Sequence, residues 1–155
     1  MNEKLEQTLL GLRDDLKIFH SLDEGELKQL AGEFELKHYP ARSVLLREGE
    51  PGDYIGLILS GSFEVKKMTE FKGKQIVLAV LSRGSSIGEL SIIDEKPRSA
   101  TIVAIEDSEL LIMRRDALND FIQRHPLIGI KILREINRIL AIRLRGAIER
   151  ITALF

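Results

Sequence analysis

The spacing of apolar residues changes character twice along the chain. In residues 3–18, leucines recur every three or four positions, which is the period of an amphipathic helix: Leu5, Leu9, Leu12 and Leu16. A second, short helix is predicted to end near Gly32. Ser21 and Glu24 have the spacing of a capping box at the start of that helix. Both helices are predicted to pack on a larger body.

The middle of the chain, from Glu33 to Arg114, consists of short apolar runs that are typical of strands. These runs cover residues 43–46, 54–59, 62–65, 75–81 and 100–104. Turns that contain glycine separate them at regular intervals. This pattern predicts a mainly β fold with flanking helices. The expected core is an antiparallel jelly-roll (double-stranded β-helix) barrel.

The helical period returns after the strands. Residues 116–124 predict a short helix, and Pro126 suits the first turn of a new one. That last helix is predicted to extend to about residue 152. It has two apolar stripes, and a helix that is apolar on two sides must bury both of them. We therefore expect a homodimer through this C-terminal helix, or an unknown protein partner. The stripes are Leu133, Ile136, Leu140, Leu144, Ala147, Ile148 and Ile151, and Ile128, Ile132, Ile139 and Ile142.

Composition restricts the class of protein. A chain of 155 residues is long enough for one domain with helical appendages. We divide it into N-terminal helices (1–32), a β-barrel (33–114) and C-terminal helices (115–155). The net charge of −1 argues against a protein that coats nucleic acid or an anionic membrane. The chain has no cysteine and no apolar segment typical of a signal peptide or membrane span, so a cytoplasmic protein is expected.

One segment, residues 88–101, carries the candidate chemistry. It reads Gly-Glu-Leu-Ser-Ile-Ile-Asp-Glu-Lys-Pro-Arg-Ser-Ala-Thr. A carboxylate such as that of Glu89 can accept hydrogen bonds from a ribose hydroxyl. A guanidinium, a hydroxyl and free backbone N–H groups can together hold one phosphate. The segment therefore contains the groups needed to bind a sugar and a phosphate.

The same segment resembles the phosphate-binding cassette of the cyclic nucleotide-binding domain family, of the catabolite-activator and protein-kinase-A-regulatory-subunit type. The resemblance rests on Gly88-Glu89-Leu90 and Arg98-Ser99-Ala100, and it covers the strands and both helical parts. It also includes, in order, Tyr39-Pro40, Glu48-Gly49, Gly52-Asp53, Ser60-Gly61-Ser62 and Glu64-Val65. The resemblance implies a ligand, cAMP or cGMP, and no cofactor and no metal.

The resemblance also implies a role for each site residue. Gly88, Glu89 and Leu90 would bind the ribose, with Glu89 accepting from the 2′-hydroxyl. Arg98, Ser99 and Ala100 would bind the cyclic phosphate, since a planar guanidinium matches two oxygens at once. An apolar wall for the base would come from the preceding strand: Val77, Leu78 and Ala79.

The long helix departs from the family pattern. Ala147 and Ile148 stand where the catabolite activator has two hydroxyl residues that read adenine. Arg143 or Arg145 would instead stack on the base as a cationic lid. No helix-turn-helix segment follows the long helix, so we expect a stand-alone domain that does not bind DNA directly. Binding would be relayed through the position of the long helix.

Two alternatives remain open. Glu89 and Arg98 could form a structural salt bridge in a protein-interaction module that binds no ligand. A buried ion pair is a poor stabiliser, however, which favours a bound anion. The other alternative is a cupin-like metal enzyme, but His20, His38 and His125 are scattered along the chain. The sequence therefore favours a binding protein over an enzyme.

Overall fold

The computed structural model describes residues 3–71 and 73–155. The helices are α1 (Glu3–Leu12), α2 (Glu24–Ala31), α3 (Glu89–Asp94), α4 (Arg115–Arg124) and α5 (Pro126–Thr152), with a 3-10 turn at Lys17–Phe19. The strands are β1 (Glu35–Tyr39), β2 (Val44–Leu46), β3 (Tyr54–Ser60), β4 (Ser62–Met68), β5 (Gln75–Ser82), β6 (Ser86–Ile87), β7 (Thr101–Ala104) and β8 (Ser108–Arg114). The order is helical, then mainly β, then helical, as the sequence predicts.

The strands form two four-stranded antiparallel sheets. The first has the order β1-β8-β3-β6 and the second has the order β2-β7-β4-β5. The described residues therefore form a mainly antiparallel β fold with flanking helices, as predicted. The predicted jelly-roll barrel is not confirmed, since these residues form two separate sheets and no closed barrel. The pairing leaves β1 and β6 as edges of one sheet, and β2 and β5 as edges of the other.

The central strands of the first sheet, β3 and β8, are buried on both faces, whereas the edge strand β1 is largely exposed. Along β8, Leu110 and Ile112 pack between the sheets with Phe63, whereas Leu111 and Met113 pack against the helices. This follows from the alternation of side chains along a strand. It also explains why β8 reads as an almost continuous apolar run. The cluster that includes Leu111 and Met113 packs the helices against one face of the first sheet, and the cluster that includes Leu110 and Ile112 joins the two sheets.

The N-terminal helices differ in detail from the prediction. The helix expected over residues 3–18 ends at Leu12, although Leu16 is buried as its spacing suggests. The predicted capping box at Ser21 and Glu24 is wrong by two residues. Asp23 accepts a hydrogen bond from Glu26 N at 2.8 Å, and Glu26 Oε2 accepts one from Asp23 N at 3.0 Å. Both pairs of residues satisfy the motif, and the structure uses the later pair.

Helix α5 begins at Pro126 and ends at Thr152, as predicted. Its first half buries one face against the first sheet and the N-terminal helices, through Ile128, Ile132, Ile136 and Ile139. Beyond residue 140, apolar side chains of both predicted stripes are exposed, including Ile142, Leu144, Ile148 and Ile151. The described chain therefore covers only the first half of the helix.

Candidate functional site

The candidate site is built on the connection between β6 and β7. Gly88 precedes α3 with φ at 85°, a left-handed conformation that favours glycine. A side chain there would also meet the carbonyl oxygen of Tyr54 at 3.0 Å. Glu95 ends α3 in the left-handed region, with φ at 58°, and its N–H donates to Ser91 O. With these two turns in the segment, Glu89 and Arg98 line the same cavity.

Arg98 is a buried cation held by neutral groups. It is 4% exposed; Nη1 donates to Gly88 O at 3.2 Å and Nη2 donates to Tyr54 O at 2.9 Å. Its guanidinium lies 4.7 Å from the centre of the Tyr54 ring. Burial lowers the pKa of Arg98, while nearby Tyr54 and Asp53 act in the opposite direction. An arginine nevertheless stays protonated.

No carboxylate forms an ion pair with Arg98 among residues 3–71 and 73–155. In particular, the salt bridge with Glu89 that a ligand-free module would use is not formed there. A charge removed from water is costly unless an opposite charge accompanies it. The two carbonyl oxygens accept only part of the guanidinium's hydrogen bonds. The positive charge of Arg98 is therefore not neutralised by a carboxylate of the described residues.

Glu89, at the start of α3, is the other buried charge. It is 2% exposed, and its Oε1 forms an ion pair with Nη1 of Arg143, from α5. Neither carboxylate oxygen accepts a hydrogen bond from the described residues. Arg143 Nη2 donates to Ser86 O at 2.9 Å, and burial lowers the pKa of Arg143. Glu89 thus retains hydrogen-bonding capacity while it contacts the long helix.

A cavity of about 140 Å³ joins these groups. A larger cleft of about 610 Å³, near Lys4 and Phe34, lies between the N-terminal helices and β1 and contains no buried charge. We therefore place the site in the smaller cavity. Seven of the ten predicted site residues line it: Gly88, Glu89, Leu90, Arg98, Ser99, Ala100 and Arg143.

The predicted wall for the base is interrupted by a β-bulge. Val65 lies opposite Ala79, and Lys66 lies opposite Val77, so Leu78 is the extra residue of the bulge. Val65 lines the cavity and shares its face of the sheet with Ala79, whereas Val77 shares the face of Lys66. Val77, Leu78 and Ala79 do not line the cavity. The structure therefore does not bring these three residues to Glu89 and Arg98.

Other residues of the site were not predicted. They include Tyr54, which packs on Arg98, and Ser86, whose carbonyl oxygen accepts a hydrogen bond from Arg143. Gly52 was part of the family resemblance, but its contact with Arg98 was not predicted: a Cβ there would lie 2.8 Å from Arg98 Nε. Apolar lining comes from Leu46, Val65, Leu81, Ile87 and Ile102. The Gly52-Asp53 pair was the one sequence signal that pointed toward these contacts.

The two helix positions at which the sequence lacks the adenine-reading hydroxyl residues of the catabolite activator lie away from the cavity. Ala147 is half-buried and Ile148 is exposed, and neither lines the cavity. Arg145 is exposed as well, and it does not line the cavity. Of the two arginines considered as a lid, only Arg143 reaches the buried carboxylate.

Within residues 3–71 and 73–155, no group of three histidine, aspartate or glutamate residues is arranged to hold a metal ion. Over the same residues, no helix is both long and apolar enough to cross a membrane.

Comparison with known proteins identifies the family. The family model described as "Cyclic nucleotide-binding domain" matches residues 36–125, which includes all strands except the start of β1. That range covers more than half of the chain and contains the whole cavity-forming segment around Glu89 and Arg98. The chain belongs to the cyclic nucleotide-binding domain family.

Curated relatives within this family include transcriptional regulators. The cyclic AMP receptor protein of Thermus thermophilus is 34% identical over 130 residues, which is 84% of this chain and 58% of that protein. A CRP-like cAMP-activated global transcriptional regulator of Mycobacterium tuberculosis is 30% identical over 83% of this chain and 55% of its own length. The chain therefore spans somewhat over half the length of these relatives.

A similar segment also forms a small part of a much longer protein that is named as an enzyme. A lysophospholipase of Aspergillus fumigatus is 35% identical over 111 residues, which is 71% of this chain but 7% of that protein. Among solved structures, a cyclic nucleotide-binding domain from Methylobacillus flagellatus KT has a TM-score of 0.88 at 33% identity, and covers 99% of this chain and 85% of its own. Family membership thus establishes the fold and the type of binding domain.

Proposed function

We propose that the chain is a cyclic nucleotide sensor, binding cAMP or cGMP, that relays binding through α5. The observation that carries this proposal is Arg98, a buried cation without a carboxylate partner in the described residues, at the wall of a cavity. A cyclic phosphate supplies one negative charge and two oxygens in the plane that a guanidinium prefers. Ser99 and Ala100 would complete the phosphate site.

The ribose would lie against Gly88, Glu89 and Leu90. The carboxylate of Glu89 has an oxygen, Oε2, that no described residue contacts as an ion pair or hydrogen-bond donor. A 2′-hydroxyl can donate to it while Arg143 stays on Oε1. The base would then extend toward Val65, with Ala79 beside it and Arg143 above. This arrangement replaces the wall of three consecutive β5 residues with two residues on one face.

Relay through α5 is supported by the position of Arg143. This residue belongs to the exposed half of the helix, yet it reaches the buried carboxylate that the ribose would share. A ligand that binds Glu89 therefore changes the free energy of one position of α5 relative to another. The exposed apolar residues beyond residue 140 would pack differently in the two positions.

A homodimer through α5 is a further part of this proposal. Leu144, Ile148 and Ile151 are all at least half exposed and lie on neighbouring turns of one helix. Burial of such a stripe against a second copy would remove apolar area from water. Sedimentation at high concentration, with and without nucleotide, tests it. A monomer under both conditions would contradict the dimer.

Isothermal titration calorimetry with cAMP and cGMP, at one fixed ionic strength, tests the ligand. We expect saturable binding of at least one of them with one site per chain. The alternative function is a protein-interaction module without ligand, which the internal pairing of Glu89 with Arg143 would favour. Absence of binding by both nucleotides, together with an unchanged fold, would support that alternative. In either case we propose binding without catalysis.

A further inference from the structure

The phosphate segment, which runs from Arg98 to Thr101, is tied to the loop after β2. Gly49 N donates to Arg98 O at 2.9 Å, and Arg98 N donates to Glu50 O at 2.8 Å. Glu48 N donates to Thr101 Oγ1 at 3.0 Å. These three bonds fix both ends of the segment. They leave the peptide between Ser99 and Ala100 to be held by something else.

That peptide is held by a lysine from β4. Lys67 Nζ donates to Ser99 O at 2.8 Å and to Glu48 Oε1 at 2.8 Å. Glu48 Oε2 in turn accepts from Met68 N at 3.0 Å. The hydrogen bond from Lys67, and then that from Met68, holds the pKa of Glu48 below its usual value. Glu48 is therefore an ionised anchor that orients the ammonium group toward the phosphate segment.

The geometry of a peptide group makes this contact relevant to the cavity. The described chain has no cis peptide bond, so the C=O of Ser99 and the N–H of Ala100 point in opposite directions. Lys67 binds the oxygen on one side. Ala100 lines the cavity, and its N–H donates to no acceptor among residues 3–71 and 73–155. That N–H is thus a free donor at the cavity wall.

We propose that Lys67, anchored by Glu48, is a positioning residue that fixes and polarises the Ser99–Ala100 peptide so that the Ala100 N–H donates to the cyclic phosphate. This inference rests on the proposed function, since it specifies how the anion is bound. A cation at the carbonyl oxygen draws electron density from the peptide and strengthens its N–H as a donor. The ammonium group also adds positive charge near the anion. The base takes no part in this contact, so the affinities for cAMP and cGMP should depend on it equally.

The experiment compares two neighbouring lysines. Lys67→Met removes the contact, and Lys66→Met is the matched control, because Lys66 lies on the same strand and pairs with Glu64 at 3.1 Å. In calorimetry at fixed salt, we expect Lys67→Met to lower the affinities for cAMP and for cGMP by the same factor. That factor is about tenfold, as for loss of one favourable hydrogen bond. Lys66→Met should bind as the wild type does, and Lys67→Arg should recover most of the loss.

A second measurement separates positioning from general stability. In ¹H–¹⁵N spectra, we expect nucleotide to move the Ala100 amide proton of the wild type downfield, and to move it less in Lys67→Met. A purely structural lysine would lower the unfolding midpoint and leave this shift unchanged. That result would overturn the proposal.

The remaining outcomes distinguish the two proposals. If the wild type binds nucleotide and Lys67→Met binds it equally well, the positioning role is wrong and the sensor function stands. The same holds if Lys66→Met loses as much affinity as Lys67→Met, since the effect would then be one of net charge. If the wild type binds neither nucleotide, the proposed function fails and the positioning role fails with it.

Discussion

Arg143 on the long helix contacts the buried carboxylate of Glu89, and both residues line the cavity. The two residues are 54 positions apart in the sequence, and their pairing joins α5 to the segment that would bind ribose. Arg143 Nη2 also donates to Ser86 O, so the guanidinium is held at two points. The long helix is thus connected to the site by charge as well as by apolar packing.

Replacing Arg143 by methionine should destabilise the protein, because Glu89 would remain as a buried carboxylate without its counter-ion. Since the Arg143 side chain is 40% exposed, solvent screens part of this interaction. We expect a loss of about 1–2 kcal/mol in the free energy of unfolding, less than for a fully buried pair. Urea denaturation measures it.

Glu89→Gln provides the double-mutant cycle for this pair. With the charge of Glu89 removed, the loss of Arg143 should lower the free energy of unfolding by less, so the double variant should be more stable than the sum of the single effects predicts.

Hydrogen exchange tests whether nucleotide binding reaches α5 through this pair. Nucleotide should alter the protection of amides in residues 140–152 of the wild type, and should not alter it in Arg143→Met. Additive stability changes together with an unchanged exchange response would contradict the connection to α5.

Replacing Arg98 by alanine should remove most of the nucleotide affinity. The variant loses a charge-assisted contact with a desolvated anion, and we expect a loss of about 2–4 kcal/mol in binding free energy. Arg114→Ala is the matched control, since Arg114 is exposed and pairs with Asp53 at 3.4 Å. Calorimetry with both nucleotides measures the effect. Equal affinity in the wild type and Arg98→Ala would mean that the anion binds elsewhere.

Much of the fold follows from local pattern, and the site follows only in part. The start of α5 was predictable because Pro126 can begin a helix but not continue one. Glu89 and Arg98 were recognisable because they lie within one short segment. The exposed position of Val77 was not, because the bulge at Leu78 is a property of the β4–β5 pairing and not of either strand alone.

The contacts of Gly52 show the same limit. This glycine lies beside Ser91 and Arg98, which are 39 and 46 positions further along the chain. Local sequence suggests only a turn, because nothing near Gly52 in the chain requires the absence of a side chain. The requirement comes from residues that the fold brings next to it. The role of Lys67 likewise could not be predicted from local sequence, since its partners Glu48 and Ser99 come from two other segments.

Replacing Gly52 by alanine should therefore impair nucleotide binding. The added Cβ would lie 2.5 Å from Ser91 Cβ and 2.8 Å from Arg98 Nε, so the guanidinium must move. Overpacking of this kind costs about 1–3 kcal/mol in stability. Gly11→Ala is the control, since nothing lies within 4 Å of the added atom. It should stabilise α1 by about 0.5–1 kcal/mol and leave binding unchanged. Calorimetry measures the nucleotide affinity of both variants. If Gly52→Ala binds nucleotide as tightly as the wild type does, Arg98 tolerates the displacement.

The stability contributed by Glu48 should depend on pH in a defined direction. Hydrogen bonds from Lys67 and Met68 lower the pKa of Glu48 in the folded protein below the reference value of 4.5. A group whose pKa is depressed on folding stabilises the folded state fully above its unfolded pKa. This stabilisation is lost as pH falls through the folded pKa. The difference in urea midpoint between the wild type and Glu48→Gln should thus be constant from about pH 7 to about pH 5.5, and should shrink below about pH 4.5.

The same measurement in the Lys67→Met background isolates the cause of this pH dependence. Since the hydrogen bond from Lys67 is the largest cause of the depressed pKa of Glu48, its removal should bring that pKa closer to the reference value. Glu48→Gln should then change the urea midpoint less at neutral pH, and the change should vary less with pH. A pH-dependent difference of the same size in both backgrounds would mean that Met68 N alone holds the carboxylate. Lys67 would in that case be free of the anchor on which its contact with Ser99 O depends.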